Sequence, residues 1–229
     1  MHPRFPRLAR TACGALITLG LVAGCAEEPS STEEREQDRP IVVSVDSANR
    51  EQRILGELYQ RALLSSGRVA YPYLEQFTVA RNPISIMSLG DADVIVGCTG
   101  QLLNVLDPVA AKELSRRYVA DVEAGRVDKN SGQWREEVYV AMVKALPAQI
   151  SATDPSNAVA CSDYDGPELP QNVVPLYRKP VADRQARLVL NSVSGTITTE
   201  DLKQLAEDSA VGGVSVSSRI TDYLESHDL

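Results

Sequence analysis

The chain has 229 residues and a formal net charge of −8, long enough for one well-packed domain and too acidic a surface for a nucleic-acid partner. Its two histidines, His2 and His227, stand at opposite ends, and there is no C-x-x-C pair. That composition leaves nothing from which to build Ser–His–Asp or Cys–His catalysis or a Cys/His metal site, so the reading is a protein without catalytic residues, metal or cofactor.

The N-terminal segment sets the expected compartment. Arg4, Arg7 and Arg10 form a basic stretch without acids, followed by the apolar run Ala12 to Gly24 and then Cys25. An apolar run of that length suits a signal peptide, whereas a membrane-spanning helix needs about 20 residues. Val22-Ala23-Gly24-Cys25 resembles a bacterial lipobox, in which the cysteine is acylated after cleavage just before it. Residues 1–24 are therefore expected to be a lipoprotein signal peptide. Residues 25–40 are expected to be the lipidated Cys25 and a flexible acidic tether, since "AEEPSSTEEREQDRP" has no large apolar residue to bury. The expected location is the cell envelope, outside the cytoplasm, with the lipid as the membrane anchor. Residues 41–229 form the domain.

Within it, Ile41 to Val45 is β-rich. Ile54, Leu55, Leu58, Tyr59, Ala62 and Leu63 then recur at helical spacing, with Asn49 and Gln52 as a capping pair and Gly67 at the helix end. A second strand is expected over Phe77 to Ala80 and a short helix over Pro83 to Leu89, closed by Gly90. Ala92 to Gly97 reads as a buried strand, and the next helix runs from Thr99 or Gly100 to Leu106, stopped by Asp107-Pro108. Helices follow over Ala110 to Ala124 and Gly132 to Leu146, the second carrying Trp134 as a core anchor. Gln149 to Thr153 is a short strand. Asn172 to Arg178 is extended, with a proline expected at an edge or bend. Helices over Asp183 to Val193, Thr198 to Glu207 and Ser217 to Ser226 complete the chain. Strands alternating with helices give an α/β fold with a mostly parallel sheet flanked by helices. No Walker or GxGxxG loop occurs, and Gly212-Gly213 reads as a turn.

Cys13 leaves with the signal peptide and Cys25 is acylated, so Cys98 and Cys161 remain. In an extracytoplasmic domain two cysteines most simply form one disulfide, with about 4 kcal/mol from loop closure; the alternative is two buried thiols.

Several stretches in order resemble the osmoprotectant-binding proteins of ABC transporters, which carry glycine betaine, choline, carnitine or proline betaine. These are Glu51-Gln52 with Leu55-Gly56-Glu57-Leu58, then "LGDADVIVGCTGQLL", "LPQNVVPLYRK" and "SGTITTEDLKQL". The resemblance implies a type II periplasmic-binding fold, a quaternary-ammonium solute, and ABC permease subunits or other envelope proteins as partners. Two departures stand out. Pro155 and Leu169 are separated by a short irregular stretch where the family inserts a second lobe of about 100 residues, so a single lobe is expected. Cys98 also replaces the tyrosine that the family places before Thr-Gly as part of an aromatic cage, and it offers no face for a trimethylammonium group. Through the resemblance, Asp46, Ser47 and Asn49, the helix start at Thr99 and Gly100, Tyr164 of the shortened crossover and Asn172 are the ligand-binding candidates; Tyr177 is expected near the same edge. A Cys98–Cys161 bridge would pin the crossover over the cleft. The function implied is a lipid-anchored solute-binding component of an ABC transporter. The alternative is an envelope lipoprotein that uses its one lobe as an interaction module.

Overall fold

The computed structural model describes residue 36, residues 39–208 and residues 215–229. Cys25, nearly all of the tether and Gly212-Gly213 lie outside the described residues. Strand β1 (Ile41–Asp46) leads into helix α1 (Arg50–Ser65), whose first turn is fixed by the Asn49 side chain accepting from Gln52 N at 3.0 Å. Gly67 ends it in the left-handed region at φ 85°, where a side chain would be strained. Ile41, Val43 and Val45 project from one face of β1 onto the buried stripe Leu55, Leu58, Tyr59 and Leu63. Gly56 permits this close approach, because a Cβ there would collide with the Val45 side chain.

The remaining strands are β2 (Ala70–Glu75), β3 (Val94–Cys98), β4 (Ile150–Ala152) and β5 (Val173–Arg178), in the sheet order β2-β1-β3-β5-β4. β1 is parallel to β2 and β3, whereas β5 is antiparallel to β3 and to β4. Every strand but β5 thus runs the same way, giving a mostly parallel sheet. Helices α2 (Pro83–Leu89), α3 (Thr99–Leu106), α4 (Pro108–Glu123) and α5 (Gly132–Ala145) lie between the strands in sequence. Helices α6 (Arg184–Thr196), α7 (Thr199–Asp208) and α8 (Val216–Ser226) follow β5. One face of the sheet packs on α1, α6, α7 and α8. The other packs Ile95, Val174 and Leu176 against α2, α3, α4 and α5, with Trp134 and Met142 fully buried there. Trp134 directs its indole N–H to Asp121 at 3.2 Å, as an amphipathic anchor requires.

The expected elements are present with one exception and two changes of position. Residues 77–80 are not a strand: Thr78 N donates to the Arg81 carbonyl in a turn, and the second strand is Ala70–Glu75. Pro72 hid it. The bonds Ile41 N to Val69 O and Ser47 N to Glu75 O turn the odd-numbered residues of β2 toward β1. Pro72 therefore faces the open side of an edge strand, where a missing donor does no harm. Pro175 does not sit in an edge strand, since β5 lies between β3 and β4. β4 ends at Ala152, and beyond it Pro175 O accepts from Thr153 N while the Thr153 carbonyl takes the Tyr139 hydroxyl at 2.9 Å, so the absent proline N–H leaves no orphan acceptor. Tyr177 pairs with Val94, at the opposite end of the sheet from Cys98.

At that opposite end the fully enclosed Asp93 carboxylate is held by three donors. Arg39 binds both oxygens at 2.6 and 3.0 Å, Arg178 reaches Oδ1 at 3.1 Å, and Val42 N donates to Oδ2 at 2.9 Å. A buried carboxylate is tolerated when charge-assisted bonds replace its water in this way. The clamp ties residue 39 to the N-terminal ends of β1 and β3.

Candidate functional site

Residues 153–172 join β4 to β5 without a helix, so the described chain is one lobe. This crossover first lies along β5: Ser156 N donates to Val173 O, Val173 N to Ala158 O, and Ala160 N to Gln171 O. It then passes over the C-terminal ends of β1 and β3, where open α/β sheets commonly bind ligands. Cys161 is bonded to Cys98, with Cα atoms 6.3 Å apart. Cys161 has φ 59°, a left-handed conformation that is costly for a residue with a side chain. Three contacts hold it there: the disulfide, the Glu51 carboxylate accepting Cys161 N at 2.6 Å, and the Gln52 amide 3.4 Å from its sulfur.

The crossover also closes the start of α3. Thr99 N donates to Asn172 O, Gly100 N to Pro170 O, and Gln101 N to the Gln171 side chain at 3.0 Å. The Thr99 hydroxyl donates to Pro170 O and accepts from Asn172 N. A Cβ on Gly100 would stand 2.7–2.9 Å from Gln171, Leu169 and Pro170. The backbone donors of the helix start expected to contact a ligand are therefore spent on the chain itself. Thr99, Gly100 and Asn172 are buried structural residues, with the Asn172 amide donating to Ser156 O. The loop after β1 is likewise engaged: Asp46 accepts from Ala48 N, Ser47 N donates to Glu75 O, and Asn49 caps α1 while its amide reaches Asp163 at 2.9 Å. The physical reason is common to all six. A buried strand end needs its backbone groups paired, and here the neighbouring crossover and strand β2 supply the partners.

What stays open is a cavity of about 680 Å³ between the crossover, the first turn of α1 and α7. Of the expected ligand residues Tyr164 lines it; Asp46, Ser47, Asn49, Thr99, Gly100 and Asn172 do not. Val159, Leu169, Leu202 and Ala206 give it apolar walls, and Arg50, Glu51, Glu168 and Lys203 bring charge. Arg50 donates to the Ala206 carbonyl at 2.8 Å, Lys203 pairs with Glu200 at 3.8 Å, and Glu168 pairs with Lys129 at 3.5 Å. Glu51 differs. Among the described residues it makes no ion pair, and its one bond is the Cys161 N–H on Oε2. Burial lifts its carboxyl above the ordinary range; the Cys161 donor opposes this, and the Asp163 carboxylate adds to it. Tyr164 packs its ring over Gly166, where a Cβ would strike the phenol, and its hydroxyl is enclosed without a partner among the described residues. Burial raises its pKa, and Asp165 adds to the effect.

Glu51 was not among the residues expected to bind. In the sequence it is one charge on the polar face of α1, and nothing in helical spacing marks it as facing a cavity. The signal lies in its place, in the first turn of a helix that starts at the strand-end loop.

The fold and this cavity define a one-lobed α/β protein with a pocket at the C-terminal edge of its sheet. No family model matches the chain, and no curated protein matches it. Among solved structures it is similar to the apo form of YehZ from Escherichia coli, at 14% identity and a TM-score of 0.46, over 82% of this chain and 98% of that one.

Proposed function

We propose that the protein is a lipid-anchored, extracytoplasmic solute-binding component of an ABC transporter, and that its solute is a small organic cation. Choline, of the sequence resemblance, is such a cation, and glycine betaine carries the same quaternary-ammonium group beside a carboxylate. The observation that carries this reading is the Glu51 carboxylate, half buried on the wall of a mostly apolar cavity and without a cationic partner among the described residues. A carboxylate in such surroundings is stabilised by a bound cation more than it would be in water. The anchor rests on Cys25 and the tether. The reading is supported by the Arg39–Asp93 clamp, which lies at the end of the sheet opposite the cavity. Calorimetric titration of the full chain in mild detergent with glycine betaine, choline, carnitine and proline betaine, and with ethanolamine as an unmethylated cation, tests the reading. Saturable heat with any of them supports it; no heat with all five at millimolar concentration removes it.

The second reading, an envelope lipoprotein that uses the lobe as an interaction module, is favoured by the closure of the α3 start over residues 170–172. Chemical cross-linking in intact cells distinguishes the two. Recovery of permease subunits only when solute is present speaks for transport, and solute-independent recovery of other envelope proteins speaks for the module.

A further inference from the structure

We propose that the crossover cavity selects organic cations that keep N–H protons, the protonated primary, secondary and tertiary amines, over their quaternary counterparts, with Glu51 as the discriminating acceptor. This rests on the solute-binding reading and narrows its ligand. Two routes to binding a cation are known to physical chemistry, and the cavity is furnished for one of them. A quaternary ammonium has no donor and is held by several aromatic faces that supply quadrupole attraction. Among the described residues Tyr164 is the one aromatic on the wall, and the position before Thr99 is a cysteine consumed in a disulfide. A protonated amine is held by directional, charge-assisted hydrogen bonds to a carboxylate. Glu51 supplies that: Oε2 takes one backbone donor, and Oε1 accepts nothing among the described residues.

The groups around Glu51 agree with this assignment. From the crossover, Asp163 adds a second negative charge nearby. From α1 and α7, Arg50 and Lys203 are engaged with the Ala206 carbonyl and Glu200, so neither neutralises Glu51 within ion-pair distance. A methyl group in place of an N–H would push the cation away and leave the acceptor desolvated and unpaired, which weakens an equilibrium by roughly tenfold or more. The same logic makes the order of affinities run opposite to that of an aromatic cage.

The test is a methylation series at neutral pH, where all members carry one positive charge: ethanolamine, N-methylethanolamine, N,N-dimethylethanolamine and choline. Each is titrated calorimetrically into the full chain and into Glu51→Gln. Affinity rising stepwise as methyls are removed, by at least about tenfold across the series, with the gradient lost in Glu51→Gln, is the expected result. A flat or reversed series overturns the selectivity while leaving a solute-binding protein. A gradient that survives Glu51→Gln overturns the role of Glu51. Silence from every member, and from glycine betaine, removes the solute-binding reading itself. The wild-type series decides the selectivity even if the variant folds poorly, and the variant's fold is checked by far-ultraviolet circular dichroism and by intact mass for the disulfide.

Discussion

Replacing both bridge cysteines, Cys98→Ala with Cys161→Ala, removes the covalent link that fastens the crossover to the end of β3. The link spans 63 residues of sequence, and losing it restores denatured-state freedom worth about 4 kcal/mol at 25 °C. Both cysteines are buried, so lost packing adds to this cost. For a domain of this size each kcal/mol moves the midpoint by about 2–4 °C, which gives a fall of roughly 8–16 °C. The fold itself should survive, because the crossover keeps its backbone bonds to residues 171 and 173. A built-in control uses the left-handed φ of Cys161. Cys98→Ala with Cys161→Gly should melt higher than the double alanine, since glycine adopts that conformation without the Cβ penalty. Thermal unfolding followed by circular dichroism, on both variants and on the oxidised parent, reads all of this. A fall of less than about 2 °C, or a glycine variant no better than the alanine one, would refute the view that the bridge holds the crossover in place.

Three further outcomes follow from the same structure. Gly100→Ala drives a methyl into Gln171, Leu169 and Pro170; the clash should cost about 1–3 kcal/mol in urea unfolding, and an unchanged midpoint would contradict the tight seal over α3. Asp93→Ala strips Arg39, Arg178 and Val42 N of their shared acceptor. Because Arg178 is largely buried the loss should be about 3 kcal/mol, and a change within error would mean the clamp is idle. Glu51 gives a pH signature. Its folded-state carboxyl is raised above the ordinary 4.5, mainly by burial, so its protonated form contributes stability at low pH that disappears as pH rises through the raised value. Parent and Glu51→Gln should therefore melt alike in acid, with the variant gaining relative to the parent as pH climbs from 4.5 toward 7. A constant offset across that range would argue against the burial.

Much of the lobe was legible in the sequence because its signals are local. The Asn49–Gln52 cap, the Pro83 start and Gly90 stop of α2, and the Asp107-Pro108 break all operate within a turn or two of chain. β2 escaped because Pro72 interrupts its pattern, and whether a proline is harmful depends on which side of the strand faces a neighbour, a fact of the sheet and not of the segment. The same holds for Pro175, whose missing donor is excused by the early end of β4. The shortened crossover was visible as a length, but not its course. That Thr99 and Gly100 would be sealed by Pro170 and Gln171, and that Glu51 would face a cavity, depends on residues 70 and 110 positions away. Only the disulfide pair pointed across that distance.

The most direct test is a nitrogen-15 correlation spectrum of the full chain in micelles, titrated with ethanolamine. The account predicts saturable shifts gathered at Glu51, Cys161, Tyr164 and Lys203 around the crossover cavity, with Thr99 and Gly100 unmoved. Saturable shifts centred on Thr99, Gly100 and Asp46, or no saturable shift at any concentration, would contradict it.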